Sequence, residues 1–369
     1  MAWARANRTE LVANSLGHYK AFSARREAGT KLFYRRRAGM QGQAQPGGVP
    51  AGFEASIARR LSQVLAGAAG QVAVFDFDNT CIVGDIGELY SHYLIDRVAY
   101  RYDLEAFWEL VHPEEGRDEL RMLSQALRAM GEQAREADPR YARYLAEMGA
   151  LYGRRLERLG KRACYEWAVR LHVGLSPAEM EAYTVEAIAG ELRRELRDEC
   201  RFSGRGEEVR IARGVRVVSQ VRGLMEALRR AGAEVWVVSA TNVWTVRVFA
   251  QLLGVAPEQV IGNRVELDGE RLSSRTARPV LFREGKVEAI KEVIGRRPWL
   301  AVGDAGTDFE MLCDAEHALV MDKGDALLRR EGPGRGFMMQ ERDALDMEAP
   351  EVALKALDVL RGVEPVVAR

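Results

Sequence analysis

The chain has 369 residues, of which 47% are hydrophobic and 29% charged, an ordinary balance for a globular protein of two or three domains. Its 54 lysines and arginines equal its 54 aspartates and glutamates, so net charge does not support general polyanion binding, and we expect no nucleic-acid partner. No apolar run approaches the roughly 18 residues that cross a membrane. The first residues lack a secretory signal, so we expect a cytoplasmic protein without a membrane partner, unless a signal has been removed.

The N-terminal segment, residues 1–52, is basic and ends in a predicted flexible linker. Residues 1–37 carry an excess of arginine, and residues 38–52 are rich in glycine, proline and glutamine. The arginines are interpreted either as a solvated tail or as a contact with nucleic acid or a membrane. Residues 53–68 then have helical spacing and lead into the first strand.

Two aspartates close that first strand. The run VAVF is followed by Asp76 and Asp78, whose side chains point the same way because alternate residues of a strand share a face, while Phe77 points oppositely. Two ionised carboxylates this close raise each other's pKa unless a cation lies between them. The alternative interpretation is a simple turn, because Asp78-Asn79-Thr80 is favourable turn chemistry.

A long helical insertion follows the first strand. Residues 103–200 are charged, have helical spacing and are divided by prolines into four or five helices, and no segment among them predicts a strand. We therefore predict an all-helical domain over residues 85–208.

Strands and helices alternate from about residue 209. The sequence predicts, in order, a helix (VSQVRGLMEALRRAG), a strand (AEVWVVS), a helix (VWTVRVFAQLLG), a strand and hairpin (VIGNRVELDGERL), a helix (GKVEAIKEVIG), a strand (WLAVGD), a short helix and a last strand (HALVMD). Such alternation predicts a parallel sheet covered on both faces. The predicted fold is therefore an α/β core of three layers, formed by residues 53–84 and 209–345. Residues 346–369 are predicted to form a C-terminal helix and tail.

Further polar residues end the later strands. Ser239 and the free N–H groups of the next helix could bind a phosphate, although Ser239 or Asn242 could instead be a helix cap. Asp304 and Asp308 follow another strand, where Asp308 could equally cap a helix, and Lys286 begins the helix before that strand. Since the carboxyl ends of parallel strands share one edge of a sheet, we expect these groups to meet around a hard cation such as Mg²⁺.

In this order, the motifs DFDNT (76–80), VVSAT (237–241), EGKVEAI with Lys286, and GDAGTD (303–308) resemble the haloacid dehalogenase superfamily of phosphohydrolases. The resemblance covers about residues 71–322 and implies a Rossmann-like core whose helical insertion is a cap domain. DFDNT with a helical cap is most similar to the phosphoserine phosphatase group. Within it, the DNT, SAT-N and LFREGK segments look closer to phosphocholine-phosphatase-like members.

The resemblance implies a role for each motif residue. Asp76 is the expected nucleophile, which would form an aspartyl-phosphate, and Asp78 the expected general acid and base. Asp304 would bind Mg²⁺ together with the Asp76 side chain and the Asp78 backbone carbonyl. The other expected roles are phosphate binding by Ser239, Ala240 and Lys286, bracing of the loop by Thr80, and ordering of metal-bound water or Lys286 by Asp308.

The sequence says less about the substrate. Asp85 and Glu88 lie where this group carries acidic residues that face the amine of the substrate, so their charge would favour choline, ethanolamine or serine esters. The same two residues also have the form of a capping box that opens a helix.

Other side chains are weaker candidates for substrate contacts. Tyr90, Tyr93 and Trp108 could form part of an aromatic cage for a quaternary ammonium group, or belong to a core. Arg97 and Arg101 are candidate partners for the carboxylate of phosphoserine.

The sequence therefore predicts a Mg²⁺-dependent phosphatase that acts on a small phosphate monoester of an amine or amino acid. Two alternatives remain open, a phosphoserine phosphatase proper and a catalytically idle module that binds a phosphorylated ligand or a protein partner.

Overall fold

The computed structural model describes residues 48–362, so most of the predicted basic segment and the last residues of the predicted tail lie outside the described residues. The strands are, in chain order, β1 (Val72–Phe75), β2 (Ile82–Val83), β3 (Arg197–Phe202), β4 (Glu208–Arg213), β5 (Arg216–Val217), β6 (Glu234–Asn242), β7 (Val260–Asn263), β8 (Val265–Asp268), β9 (Arg271–Thr276), β10 (Leu300–Gly303), β11 (His317–Asp322) and β12 (Met338–Glu341).

The α-helices surround these strands and also form a separate group between β2 and β3. They are α1 (Ala55–Ala66), α2 (Ile86–Asp96), α3 (Glu105–Trp108), α4 (Arg117–Arg128), α5 (Glu132–Glu136), α6 (Pro139–Leu159), α7 (Lys161–Arg170), α8 (Pro177–Arg193), α9 (Ser219–Arg230), α10 (Val243–Leu252), α11 (Glu284–Val293), α12 (Phe309–Asp314), α13 (Ala326–Glu331) and α14 (Pro350–Leu360).

Six strands form one parallel sheet in the order β12-β11-β10-β1-β6-β7. In the central strand β1, Val72 and Val74 pack into one apolar cluster, whereas Ala73 and Phe75 pack into another. Both faces of the sheet are therefore buried beneath helices, which is why its strands read as continuous apolar runs. The predicted α/β fold is confirmed.

The elements predicted after residue 209 are also found. Helix α9, strand β6, helix α10, helix α11 and strand β10 lie where the sequence predicts them, and β11 has the predicted bounds. Strands β8 and β9 form the predicted hairpin, whose turn contains Gly269 at a φ of 62°. This left-handed conformation favours glycine, because a Cβ atom would be strained there.

The insertion is mostly helical but not entirely so. Helices α2 to α8 fill it up to Arg193, and the antiparallel pair β2 and β5 joins its entry to its exit. Strands β3 and β4 then form an antiparallel hairpin that continues to Arg213, past the predicted boundary at residue 208. The expectation that this segment contains no strand is wrong.

The hairpin formed by β3 and β4 has few inward apolar residues and several ion pairs. Strand β4 turns Val209, Ile211 and Arg213 inward, and none of the residues in β3 is buried. The guanidinium of Arg213 lies 2.9 Å from Asp96 Oδ2 and 3.4 Å from Glu191 Oε1. Apolar alternation is limited to Val209 and Ile211 in β4, and ion pairs hold the rest of the hairpin, so the longer alternation that signals a strand is absent.

One strand lies beyond the last one predicted. Strand β12 pairs with β11 at the edge of the sheet, so the expectation that HALVMD is the last strand is wrong. Its sequence, MMQE, is short and follows a glycine-rich turn, which hides it from a periodicity argument. Helix α14 follows, as expected for the C-terminal segment. Across residues 48–362, no helix is both long and apolar enough to cross a membrane.

Candidate active site

The candidate site lies at the carboxyl edge of the sheet, where β1, β6 and β10 are neighbours. The backbone N–H of Asp76 still donates to the carbonyl of Val302 at 2.8 Å, so the sheet fixes this residue. The chain then turns sharply, with Asn79 at a φ of 60°, which asparagine tolerates better than most residues. Phe77 is buried and packs edge-on against Phe249 at 5.5 Å between ring centroids.

Asp76 is held from two sides. Its Oδ1 lies 2.6 Å from Lys286 Nζ, and its Oδ2 accepts a hydrogen bond from Thr80 Oγ1 at 3.1 Å. Burial and the nearby Asp308 carboxylate raise the pKa of Asp76, against the lowering effect of Lys286. The residue is only 6% exposed.

Lys286 connects three parts of the site. Its buried ammonium donates to Asp76 Oδ1 and Asp308 Oδ1, both at 2.6 Å, and to the Val238 carbonyl at 3.0 Å. Burial opposes its charge, but the two carboxylates outweigh burial and raise the pKa of Lys286. The expected interaction between Asp308 and Lys286 is therefore present.

Asp304 and Asp308 come together because β10 ends in a glycine. A Cβ atom on Gly303 would lie 2.7 Å from the Asp308 Cβ, so a larger residue would push these carboxylates apart. Asp308 Oδ2 accepts hydrogen bonds from the backbone N–H groups of Asp304 and Ala305, each at 3.1 Å. Asp304 Oδ1 in turn accepts from Thr80 Oγ1 at 3.3 Å, which ties it to the loop after β1.

Asp76, Asp304 and Asp308 each offer a carboxylate oxygen, and these oxygens lie within 4.8 Å of one another. Three carboxylates supply only hard oxygen donors, the kind that Mg²⁺ prefers. The residues present therefore fit the expected cation. The Asp78 side chain is not part of this group, and the contribution of its backbone carbonyl to a metal site stays a prediction.

Asp78 points to the other side of the site. Its Oδ1 accepts the N–H of Ile86 at 2.6 Å, and its Oδ2 accepts the hydroxyls of Thr241 at 2.7 Å and Ser239 at 3.3 Å. Burial, with the charge of Asp85 as the next contribution, raises the pKa of Asp78 to about 8. A carboxyl group with such a pKa carries a proton at neutral pH, as a general acid must.

Ser239 and Ala240 lie at the carboxyl end of β6. Ser239 is fully buried, and its hydroxyl accepts the backbone N–H of Thr241 at 3.0 Å. The carbonyl of Ala240 accepts Asn263 Nδ2 at 2.6 Å, which fixes the strand end to its neighbour β7. Of the two residues for which the sequence offered a helix cap, Asn242 is the cap, because its side chain accepts the Thr245 N–H.

The two candidate substrate carboxylates have different surroundings. Asp85 caps α2 through a 2.8 Å hydrogen bond from the Glu88 N–H, and its negative charge helps to raise the pKa of Asp78. Asp85 is therefore a helix cap, as the alternative interpretation predicted. The cap position also places its side chain beside the site. Glu88 extends toward His92, with 3.9 Å between Glu88 Oε1 and His92 Nε2.

The other substrate candidates have structural roles. Tyr90 and Trp108 are fully buried, so they are core residues rather than walls of an aromatic cage. The Tyr93 hydroxyl pairs with Glu186, which also forms an ion pair with Arg97 at 3.5 Å. Arg101 pairs with Glu179.

Three residues that sequence reasoning missed join the site. Thr241 donates to Asp78, and Lys323 Nζ lies 2.6 Å from Asp304 Oδ2. Tyr165 reaches in from α7, its ring packed against Phe282 at 5.7 Å. Burial raises the pKa of Tyr165, and the site aspartates add to that effect. Only Thr241, inside the quoted VVSAT motif, carried a sequence signal that could have found it.

A sequence model for the family described as haloacid dehalogenase-like hydrolase matches residues 139–312. The matched segment contains Ser239, Lys286 and Asp304 and begins after Asp76. No curated protein matches the chain.

Several solved structures are similar. A functionally unknown protein from Anaerococcus prevotii aligns with a TM-score of 0.69 and 20% identity, over 80% of this chain and 94% of that chain. A protein of unknown function from Bordetella pertussis gives a TM-score of 0.48 and 17% identity, over 73% and 98%. A substrate-bound phosphoserine phosphatase gives 0.39 and 14%, over 80% and 98%. The first similarity supports the fold alone, and the other two are too weak to support more.

Proposed function

We propose that this protein is a Mg²⁺-dependent phosphomonoesterase that works through an aspartyl-phosphate on Asp76. The proposal is based on one observation: Asp76 and Asp78 are close in sequence, but their side chains have different partners and lie on different sides of the site. Asp76 lies with Lys286 and the other candidate metal ligands, whereas Asp78 is held by Ser239 and Thr241 with a pKa of about 8. One carboxylate is thus placed to attack and the other to transfer a proton.

Each group of the chain has a task in the reaction. Asp76 attacks phosphorus, the bond to the substrate oxygen breaks, and Asp78 gives its proton to the leaving alcohol. Asp78 then takes a proton from water, which attacks the aspartyl-phosphate, releases inorganic phosphate and restores Asp76. In the substrate complex, the Ser239 hydroxyl and the Lys286 ammonium would each exchange a present carboxylate acceptor for a phosphoryl oxygen, and the Ala240 N–H would donate to another.

Asp76, Asp304 and the Asp78 carbonyl would hold the Mg²⁺ ion, with Asp308 beside them. The ion, when bound, offsets the repulsion between the phosphate and the carboxylates. The proximity of Asp76 to Lys286 and of Asp78 to Ser239 supports a catalyst over an idle module.

For the substrate, we propose a small phosphorylated amine of the phosphocholine or phosphoethanolamine type. The support is Asp85, whose negative charge lies close enough to Asp78 to affect its pKa. Phosphoserine is a weaker candidate because Arg97 and Arg101 are already paired with Glu186 and Glu179.

A phosphate-release panel tests both the phosphatase activity and the proposed class of substrate. Phosphocholine, phosphoethanolamine, phosphoserine and sugar phosphates are compared, with p-nitrophenyl phosphate as the general substrate and EDTA as the metal-removal control. We expect EDTA to abolish all release and the amine esters to have the highest kcat/KM. A preference for sugar phosphates would reject the amine substrate, and no metal-dependent release from any ester would reject the phosphatase.

A matched pair of variants isolates the charge of Asp85. Asparagine also caps helices, so Asp85→Asn removes the charge and keeps the cap. Asp138→Asn makes the same change at the N-cap of α6, where Asp138 accepts the Arg140 N–H. The amine preference should fall only in Asp85→Asn. An equal preference in both variants would remove Asp85 from substrate recognition.

A further inference from the structure

The helical insertion contains a cavity of about 150 Å³ whose wall is rich in arginine. Its lining includes Arg117, Arg155, Arg158 and Arg170, with Trp167 beside them, whereas Glu109 is its one acidic residue. A water molecule takes about 30 Å³ of the liquid, so this volume is large enough for a phosphate-sized anion.

The arginines are fixed in place but keep unused donors. Arg117 Nε donates to the Val111 carbonyl at 2.6 Å, and Arg170 Nε donates to the Ser274 carbonyl at 2.6 Å. Arg158 Nε donates to Glu115 Oε1 at 2.8 Å. Within residues 48–362, no partner is found for the terminal nitrogens of these three side chains. Guanidinium groups anchored through Nε lose little entropy when they bind a ligand through their outer nitrogens.

Arg155 adds a buried charge to the wall. Its side chain is 9% exposed, its guanidinium lies 4.7 Å above the Trp167 ring, and it pairs with Glu115 at 2.7 Å. Its Nε has no hydrogen-bond partner, which is costly for a buried donor. Glu115 is shared between Arg155 and Arg158, so one carboxylate faces two guanidinium groups and leaves positive charge uncompensated.

The cavity is separate from the aspartate site. All its lining residues lie between Glu109 and Arg170, and none comes from the strand ends that carry the aspartates. On α7, Tyr165 faces the aspartate site, and Trp167 is two positions further on, which places it on the opposite side of a helix with 3.6 residues per turn.

We propose that this cavity is a second anion site, which binds the phosphoryl group of a small soluble ligand. A tetrahedral oxyanion can accept hydrogen bonds from several guanidinium groups at once. The hydrogen bonds within the protein use the Nε atoms of Arg117, Arg158 and Arg170, and they leave the terminal nitrogens for a ligand. The site goes beyond the proposed hydrolysis and does not depend on it.

Calorimetric titration of inorganic phosphate into the full chain with EDTA present tests this site. Without a metal ion, the carboxylates of the aspartate site repel phosphate, so the remaining saturable binding reports the cavity. Chloride at matched ionic strength controls for screening. The test variant is Arg117→Gln/Arg158→Gln. The matched control, Arg121→Gln/Arg143→Gln, removes the same charge from two exposed arginines of the insertion that pair with Glu105 and Glu119.

We expect one phosphate bound per wild-type chain, unchanged affinity in the control, and at least about tenfold weaker binding in the test variant. Circular dichroism checks folding, and Arg170→Gln alone replaces the double variant if the latter is unfolded. The absence of saturable binding in the wild type, or equal affinity in all the proteins, would overturn the second site. Because nothing is hydrolysed in this experiment, its failure leaves the phosphatase proposal untouched.

Discussion

Lys323 Nζ lies 2.6 Å from Asp304 Oδ2, so an ammonium group already neutralises one of the three carboxylates that fit a cation. Burial raises the pKa of Asp85, and the positive charge of Lys323 opposes that shift. Lys323 thus links the candidate metal group to the candidate substrate residue, and its loop after β11 forms part of the site.

Replacing Lys323 should strengthen metal binding. In Lys323→Met, Mg²⁺ no longer competes with an ammonium for Asp304, and we expect about tenfold tighter binding, since a neighbouring charge changes such equilibria by a pK unit or more. Calorimetric Mg²⁺ titration measures this. Lys291→Met, on the exposed last turn of α11, is the control. Weaker Mg²⁺ binding in Lys323→Met would instead mean that Lys323 holds Asp304 in position.

The Thr241 hydroxyl should matter for turnover. It donates to Asp78 at 2.7 Å. Once Asp78 has given its proton to the leaving alcohol, a hydrogen bond to the charged carboxylate contributes about 1.5–3 kcal/mol. Thr241→Val keeps the shape and removes the donor, so we expect kcat for p-nitrophenyl phosphate to fall by about tenfold or more. Thr241→Ser should recover most of that loss. A valine variant as fast as the wild type would show that the hydroxyl does not act on Asp78.

The buried His92 should make the protein sensitive to mild acid. Burial, followed by the charges of Arg213 and Arg201, lowers the pKa of His92 to about 3, and the Glu88 carboxylate 3.9 Å away is one-third exposed and does not offset this. The unfolded chain binds a proton near pH 6.5 and the native chain does not, so stability is lost as pH falls below 6.5.

Between pH 6.5 and 5, this single group should cost about 2 kcal/mol of unfolding free energy. Urea unfolding at the two pH values measures the loss in the wild type and in His92→Gln, which cannot titrate. We expect a smaller pH dependence in the variant. An identical dependence in both proteins would mean that His92 titrates normally in the native state.

Arg213 should be among the most sensitive charged residues of the insertion. It is 2% exposed, and its removal leaves Glu191, itself 7% exposed, with the partly exposed Arg194 at 3.5 Å as its remaining ion-pair partner among the described residues. We expect Arg213→Met to lower the unfolding free energy by about 3 kcal/mol and Arg213→Met/Glu191→Gln to recover part of it. Arg197→Met, on the exposed side of the same hairpin, should change stability by less than about 0.5 kcal/mol. Equal effects at Arg213 and Arg197 would contradict a buried ionic anchor.

The parts of the fold that obey simple periodicity were predictable. Strand β1 reads as an apolar run because both its faces are buried, and His317–Asp322 has the predicted bounds for the same reason. The hairpin that ends at Arg213 was not predictable, because its inward face is held by ion pairs between residues more than a hundred positions apart in the chain, such as Asp96 and Arg213.

The site shows the same division. Asp76, Ser239 and Asp304 lie at the carboxyl ends of β1, β6 and β10, which are neighbours in the parallel sheet, so the fold brings them to one edge. Lys323 lies in the loop after β11, and Tyr165 lies in the helical insertion. No local sequence pattern predicts that these two segments pack against the site. The interpretation of Tyr90 and Trp108 as a cage was open for a similar reason, since burial depends on distant partners.

The most direct test of the central claim is mass spectrometry of acid-quenched protein during turnover of p-nitrophenyl phosphate with Mg²⁺. We predict that the peptide containing Asp76 gains the mass of one phosphoryl group, and that Asp76→Asn shows neither this gain nor measurable hydrolysis. Undiminished turnover in Asp76→Asn, or a phosphoryl group found on another residue, would contradict the assignment of Asp76 as the nucleophile.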